Sequence, residues 1–378
     1  MRIGIIYETT YPEFKGGVER WFSQLASGLA GKSFNVVYLN GNGRSTNTTN
    51  LEYLPIEKIK KSFHETGERS ARNIISYALA TFNSLRKLNF EVLYLSSFPF
   101  LHIWAARIFR MISKDKFRIY VEWFELPSID YWKRERGYLF GTLGFTIQQL
   151  TLRLSDVNVS YLDSTRDLLM EKKTKNQIVI KLPGICTFEN SVGNSTKNKY
   201  RNDISQIGRL TQDKQPLLSL AAVKELRKKG WSGHFHLLGS GPLAQEVSSY
   251  IRFNGMSEYV TMHGDGSDEV RREILEKSAA LLHPSRREGF GLAIVEAASL
   301  GVPAILIRGE DNKSTELRIN PTLVSEKSNP AEIADLLEKA LNNQEKFSKE
   351  CLHWIKHKGT NMLATDSIEQ LTKHFHST

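Results

Sequence analysis

Cysteine is nearly absent from this chain of 378 residues, which holds two, Cys186 and Cys351. Two cysteines so far apart build neither a disulfide framework nor a thiolate metal cluster, and they fit a reducing compartment. No apolar run reaches the roughly 18 residues of a membrane span. The start, MRIGIIYETT, turns polar at Glu8, too early for a secretory leader. A cytoplasmic protein is expected, with peripheral attachment to the inner membrane face as an option. No G-x-G-x-x-G follows the first apolar segment, so the dinucleotide fingerprint is excluded there. No nucleic-acid-binding motif accompanies the positive charge, which makes nucleic acid the weakest partner.

What is present is ordinary globular composition, 40% hydrophobic and 24% charged. The length suits two domains better than one core. The formal charge of +10 is uneven: residues 1–183 carry 26 Lys/Arg against 17 Asp/Glu, and residues 184–378 carry 25 against 24. That excess suits an anionic lipid surface or a phosphorylated acceptor, and it equally suits scattered solvated lysines.

The pattern along the chain is strand, loop, helix, repeated. Arg2–Tyr7 reads as a strand, and Gly16-Gly17-Val18-Glu19-Arg20 leads into a helix with Trp21, Phe22, Leu25, Ala26 and Leu29 on one side. Further strands are expected at 35–39, 91–95 and 118–121, with helices at 68–88 and 101–112, so the sheet should be parallel. The segment EWFELPSIDYWKR (122–134) is aromatic and charged together. Glu122 and Glu125 there suit either an acceptor or ion pairs with Lys133 or Arg134. Leu139, Leu143, Ile147, Leu150 and Leu154 space a helix over 138–154, expected to pack on the sheet rather than on a membrane. The polar run 190–202 reads as a loop, and the pattern restarts at Ile204.

The most specific stretch is LLHPSRREGFGLAIVEAASLGVPAI, residues 281–305. It reads as strand, glycine loop, helix, strand. Gly289 and Gly291 flank Phe290 just before the helix, where the first amide N–H groups have no intrahelical acceptor and suit a phosphate. Glu296 falls among Ala293, Ile294, Val295, Ala297 and Ala298 with almost no polar face, so it needs a partner. A ribose diol suits Glu296, and a second sugar suits Glu288.

The run E-G-F-G-L-A-I-V-E, with seven residues between its two glutamates, resembles the signature of the retaining glycosyltransferases of family four. The resemblance implies that Glu296 holds the nucleotide ribose, that Glu288 lies near the donor sugar, and that the backbone from Gly289 through Phe290 and Gly291 to Leu292 meets sugar hydroxyls and phosphate. Gly16, Gly17 and Glu19 match the family's G-G-x-E loop facing the diphosphate and acceptor. The segment ending in Gly208-Arg209-Leu210, followed by Lys214, resembles its G-R-L and lysine. These imply two cations that neutralise a departing diphosphate without a metal. Gly239-Ser240-Gly241-Pro242 resembles its G-x-G-P loop beside the nucleotide, and Asn312 to Leu317 a loop at the end of the donor site. One departure stands out: where many relatives place a sugar-contacting histidine, this chain has Phe124.

The resemblance thus implies an α/β protein of two Rossmann-like domains facing across a cleft, the type B glycosyltransferase arrangement. Residues 1–183 would bind the acceptor, 184–355 the nucleotide sugar, and 356–378 would return to the first domain. The implied reaction moves a sugar from a UDP- or GDP-sugar to an acceptor hydroxyl with retention and with no further cofactor, in envelope polysaccharide or glycolipid assembly. A soluble acceptor such as an antibiotic aglycone, a sugar-nucleotide epimerase and a non-catalytic binder are the competing readings. Hydrolysis is disfavoured because Glu288 and Glu296 share one loop and helix rather than flanking a bond.

Overall fold

The first strand, β1 (Arg2–Tyr7), is buried at four successive positions from Ile3 to Ile6. A strand buried on both faces needs cover on both sides, which parallel strands joined through helices provide. The computed structural model describes residues 1–56, 71–114, 116–185, 201–309, 311–359 and 363–377. Cys186, the beginning of the helix expected from residue 68 and most of the 190–202 loop lie outside them. The chain divides into two units, Met1–Gly184 with Ala364–Thr378, and Ile185–Leu363.

In the first unit, β1 is followed by α1 (Gly17–Gly31), β2 (Asn35–Asn40), β3 (Thr46–Thr48), β4 (Leu51–Pro55) and α2 (Ala71–Leu85). Then come β5 (Val92–Ser96), α3 (Leu101–Ile112), β6 (Arg118–Glu122), α4 (Ile129–Thr151), β7 (Val157–Ser160), α5 (Asp163–Lys172) and β8 (Ile178–Lys181). The sheet order is β3-β4-β2-β1-β5-β6-β7-β8. Every pairing is parallel except β3 with β4. The β3–β4 hairpin is an addition to the expected pattern; β3 reads Thr-Asn-Thr and is exposed throughout, so no apolar alternation announces it. Ile6, Leu93, Ile103, Ile119 and Leu169 belong to one core beneath the helices.

The helix expected over 138–154 differs in two ways. It starts earlier, as α4, and breaks at Gly137 (φ 75°, ψ 170°). The two arms fold against each other: a Cβ on Gly144 would lie 2.7 Å from the Trp132 ring, and Trp132 Nε1 donates to Gln148 Oε1 at 2.8 Å. Its apolar stripe is also not covered as expected. Ile147 and Leu154 pack on the core, whereas Leu139 is 78% exposed and Leu143 55%.

The second unit runs β9 (Asp203–Ile207), α6 (Pro216–Lys228), β10 (Phe235–Leu238), α7 (Ala244–Phe253), β11 (Val260–Met262) and α8 (Asp268–Lys277). It continues through β12 (Ser278–His283), β13 (Arg287–Glu288), α9 (Leu292–Ser299), β14 (Ala304–Ile307), β15 (Asp311–Asn312), β16 (Val324–Ser325), α10 (Pro330–Asn342) and α11 (Gln344–Trp354). The parallel order β11-β10-β9-β12-β14-β16 reverses direction at β9, and β13 pairs separately with β15. Local chemistry sets the helix starts. Pro216 opens α6, and Asn329 Oδ1 accepts from the Ala331 and Glu332 amides at the start of α10. The chain then returns to the first unit as α12 (Ala364–His376), where Phe375 meets the Tyr120 ring at 5.0 Å and Ile368 fills the space a side chain on Gly28 would need.

One polar group sits deep in the first unit. Glu122, at the end of β6, is fully buried; its Oε1 accepts from Trp21 Nε1 at 2.7 Å and from the Tyr161 hydroxyl. Among the described residues neither its Oε2 nor the Tyr94 hydroxyl makes a hydrogen bond of normal geometry. Burial pushes the Glu122 carboxyl up to about 8, against the lowering effect of the neighbouring Tyr161, Tyr94 and Trp21 groups. The acid is therefore neutral at pH 7, and its proton can satisfy Tyr94. Because the folded state holds this proton while the unfolded chain has lost it, stability falls as pH rises between the unfolded value of 4.5 and about 8. Glu122→Gln keeps a neutral, hydrogen-bonding group without that titration. We expect the variant to match the parent near pH 4.5 and to melt higher near pH 8; parallel melting-temperature profiles over this range would refute a protonated Glu122.

Candidate active site

In an open parallel sheet the loops leaving two neighbouring strands diverge where the strand order reverses, and a ligand fits between them. In the second unit that place lies between β9 and β12. The loop after β9 contains Gly208, Arg209 and Lys214, and the loop after β12 contains Ser285 and Glu288. The order of the strands brings together residues that are 74 positions apart, Lys214 and Glu288.

Lys214 ends a short 3-10 turn, Gln212–Lys214, whose Asp213 carbonyl accepts from the Arg286 amide at 2.8 Å. Gln215 reaches the Pro284 carbonyl at 2.8 Å, and Lys214's own carbonyl accepts from Gln206 Nε2 at 2.8 Å. With the backbone tied on both sides, the Lys214 ammonium donates to Glu288 Oε2. The same oxygen lies 2.8 Å from His283 Nε2, and Ser285 Oγ is 3.1 Å from that nitrogen. Burial alone would push the Glu288 carboxyl up; the Lys214 ammonium and the His283 contact override it and hold the group well below the usual carboxylate range. His283 is pushed down by its own burial, so the ring stays neutral and donates to the carboxylate. Arg209 is exposed, and among the described residues it has no salt-bridge partner.

The glycines in these loops do distinct things. Gly239 (φ 142°) lies against the β9 loop: a Cβ there would fall 2.0 Å from the Gly208 oxygen, and one on Gly241 would fall 2.5 Å from the Leu210 oxygen. The loops after β9 and β10 therefore zip together, with Leu210 N donating to Ser240 O at 2.9 Å. Gly291 (φ 81°) is the residue before α9, where a Cβ would meet Ile294 at 2.7 Å and Ser314 at 2.9 Å. That turn opens α9, whose Leu292 and Ala293 amides have no acceptor inside the helix. Phe290, by contrast, is 3% exposed and anchors the loop. Asn312 holds the neighbouring loop down, donating to Ser285 O and Ile307 O at 2.9 Å each and accepting from the Ser314 hydroxyl at 2.6 Å.

Glu296 has the partner its apolar setting demands. It is fully buried in α9, and Arg271 Nη1 from α8 donates to its Oε2 at 3.0 Å. Among the residues named from sequence, Lys214 and Glu288 meet directly, Arg209 and Gly208 lie on the same loop, and Glu296 is set back beneath the surface. His283, Ser285 and Arg271 were not named; for the first two, their position at the end of the strand next to the reversal is the signal that finds them.

The first unit places its candidates differently. Glu19 folds back over the start of α1, so that a Cβ on Gly16 would lie 2.0 Å from Glu19 Oε2, and Thr9 Oγ1 donates to Glu19 Oε1 at 3.0 Å. Gly16 precedes α1 and Gly17 opens it; this helix start already carries a carboxylate. Glu122 belongs to the buried cage described above and forms no ion pair with Lys133 or Arg134, which lie near the Tyr138 ring and Glu135. Phe124 is half-buried, stacked on Tyr161 at 5.4 Å with the rings 13° apart, and Glu125 is half-buried beside it. Trp123 donates to Asn158 Oδ1 at 2.8 Å and is core rather than a stacking platform.

Known proteins share this fold. A sucrose-phosphate synthase from Thermosynechococcus elongatus superposes over 100% of this chain and 98% of its own, at TM-score 0.79 and 13% identity. WaaG, a glycosyltransferase involved in lipopolysaccharide biosynthesis, covers 98% and 99% at TM-score 0.75 and 14% identity. Anabaena HepE, solved with UDP and glucose, covers 100% of both chains at TM-score 0.72 and 11% identity. Among curated sequences, an uncharacterized glycosyltransferase of Methanocaldococcus jannaschii is 29% identical over 112 residues, 30% of this chain and 32% of its own. An alpha-D-kanosaminyltransferase of Streptomyces kanamyceticus is 27% identical over 141 residues, 37% and 36% of the two chains. The matches thus span about a third of these curated relatives. Residues 1–75 match a domain of unknown function (DUF3492). The fold is that of the type B glycosyltransferases, and residues 187–358, nearly all of the second unit, match the family model of glycosyl transferases group 1.

Proposed function

We propose that this protein is a retaining glycosyltransferase that takes a sugar from a UDP- or GDP-sugar, without a catalytic metal, and places it on an acceptor hydroxyl in envelope polysaccharide or glycolipid assembly. The observation that carries this reading is the Lys214–Glu288–His283 group where the second sheet reverses, next to the start of α9. A fixed cation, a carboxylate held ionised and helix-start amides without an intrahelical acceptor suit a sugar diphosphate: charge for the phosphates and acceptors for sugar hydroxyls.

In this reading the bond between the anomeric carbon and the β-phosphate oxygen breaks while the acceptor oxygen attacks from the same face. The new glycosidic bond forms, the acceptor proton passes to the departing phosphate, and the nucleoside diphosphate leaves with its charge met by Arg209, Lys214 and the Gly289 to Leu292 backbone. Glu288 holds the sugar, and Gly208, Gly239 and Gly241 shape the loops beside the nucleotide. Glu296 reaches the ribose by giving up part of its contact with Arg271. In the first unit, Gly16, Gly17, Glu19, Phe124 and Glu125 are the candidates for binding the acceptor. WaaG, involved in lipopolysaccharide biosynthesis, makes the envelope context the first reading, and a small soluble acceptor is the second.

Arg209→Ala and Lys214→Ala should each lower kcat by about a hundredfold or more, as loss of one charge-stabilising donor does in other enzymes. Arg209 is exposed, so its variant should melt like the parent, whereas Lys214→Ala leaves Glu288 partly buried without its cation and should melt lower. Near-parental turnover in both variants would sink the mechanism. UDP- and GDP-sugars should be compared by thermal shift, since the true donor raises the melting temperature by mass action, and transfer with that donor should give a product of unchanged anomeric configuration by NMR. An inverted product, or conversion of the nucleotide sugar alone to its epimer, would overturn the assignment.

A further inference from the structure

The exposed apolar surface of this protein is as uneven as its charge. Among the described residues, fifteen of the sixteen exposed large hydrophobic side chains belong to the first unit, and Phe253 is the exception. The densest group is at the tip of α4. There the chain turns back at Gly137, and the next three residues, Tyr138, Leu139 and Phe140, are 71%, 78% and 74% exposed, with Leu143 at 55% one turn on. The preceding arm ends Lys133-Arg134-Glu135-Arg136, three positive charges and one negative, and Lys133 Nζ sits 4.7 Å from the centre of the Tyr138 ring.

We propose that this helical hairpin tip is a wedge that inserts into the interface of an anionic lipid bilayer. Three observations select that partner. An aromatic, a leucine and a second aromatic in succession at a protruding turn bury apolar area in the outer acyl region while the tyrosine hydroxyl stays at headgroup level. The basic residues directly beside them attract anionic headgroups over a distance of one Debye length. A second copy of the chain would instead bring the same positive cluster against itself, in a half of the molecule with 26 Lys/Arg and 17 Asp/Glu. The hairpin is rigid enough to act as a unit, because Trp132 fills the space over Gly144 and bonds Gln148 across the two arms. No helix of the described chain is long and apolar enough to cross a membrane, so the contact is peripheral. The inference stands on surface residues alone and does not depend on the transfer reaction.

The test is flotation of the full chain with phosphatidylcholine vesicles, with and without phosphatidylglycerol, at low and high salt. The parent should float with the anionic vesicles at least about tenfold better than with neutral ones, and less well at high salt. The variant Tyr138→Ser/Leu139→Ser/Phe140→Ser should lose at least about tenfold in anionic-vesicle binding and keep the parent's melting temperature, since the replaced side chains are exposed. Arg136→Glu should weaken flotation at low salt only. Parental flotation by the triple variant would overturn the proposal, as would absence of parent binding to anionic vesicles at low salt. A dimer seen by light scattering and abolished by the triple variant would also overturn it, because the face would then be a contact between copies.

Discussion

Everything in the second unit's site depends on one charge pair, Lys214 with Glu288. Neither residue is fixed by its own element alone: Lys214 ends a three-residue turn and Glu288 a two-residue strand. Short elements of this kind have no intrinsic stability, and their geometry is set by what they are tied to. The surrounding bonds, Arg286 N to Asp213 O and Gln215 Nε2 to Pro284 O, bring the two loops close enough for the pair to form in a part-buried setting. Once formed, it makes the position of each loop a condition for the other. Placing a carboxylate there costs desolvation, and the Lys214 ammonium together with the His283 contact offsets it.

The same constraint explains the hydrophobic parts of the site. The turn at Gly291 and the buried Phe290 bring the start of α9 to the pair, and the Arg271–Glu296 bridge joins α9 to α8 from beneath. A fully buried carboxylate in an eight-residue helix would otherwise be among the most destabilising residues in the unit. Its bridge lets the helix stay apolar on nearly every side. Polar residues here work in two layers, an outer one at Lys214 and Glu288 and an inner one at Arg271, Glu296 and Asn312.

Sequence pattern makes the parallel layout legible, because the strands at the centre of each sheet, such as β1, β5 and β12, are short apolar runs and the helices carry apolar stripes. It also makes Glu296's need for a partner legible, since no polar face was available to it. The identity of that partner was not, because Arg271 lies on another helix and contacts across helices leave no mark in local spacing. His283 hides for a different reason: it ends a strand of small and apolar residues, and a histidine there looks like core until strand order places it at the reversal. The β3–β4 hairpin was missed because Thr-Asn-Thr packs on nothing. The stripe of α4 misled because periodicity reports that a face is apolar, not that anything covers it. The stripe's far end, Ile147 and Leu154, does reach the core, and the end next to the turn at Gly137, Leu139 and Leu143, is left uncovered.

Phe124 draws these points together. A residue at the end of a parallel strand normally offers polar atoms to a ligand, and here the chain offers a ring, stacked on Tyr161. Tyr161 in turn donates its hydroxyl to Glu122, whose burial keeps it neutral. The cage therefore presents no net charge behind Phe124, and Phe124 itself has no hydrogen-bond donor. A group lying against it would meet shape and apolar contact alone, which in the proposed transfer would discriminate weakly between sugars that differ by one hydroxyl. Fixed donors and acceptors of the kind that read single hydroxyls are found instead in the second unit, at Lys214 and Glu288.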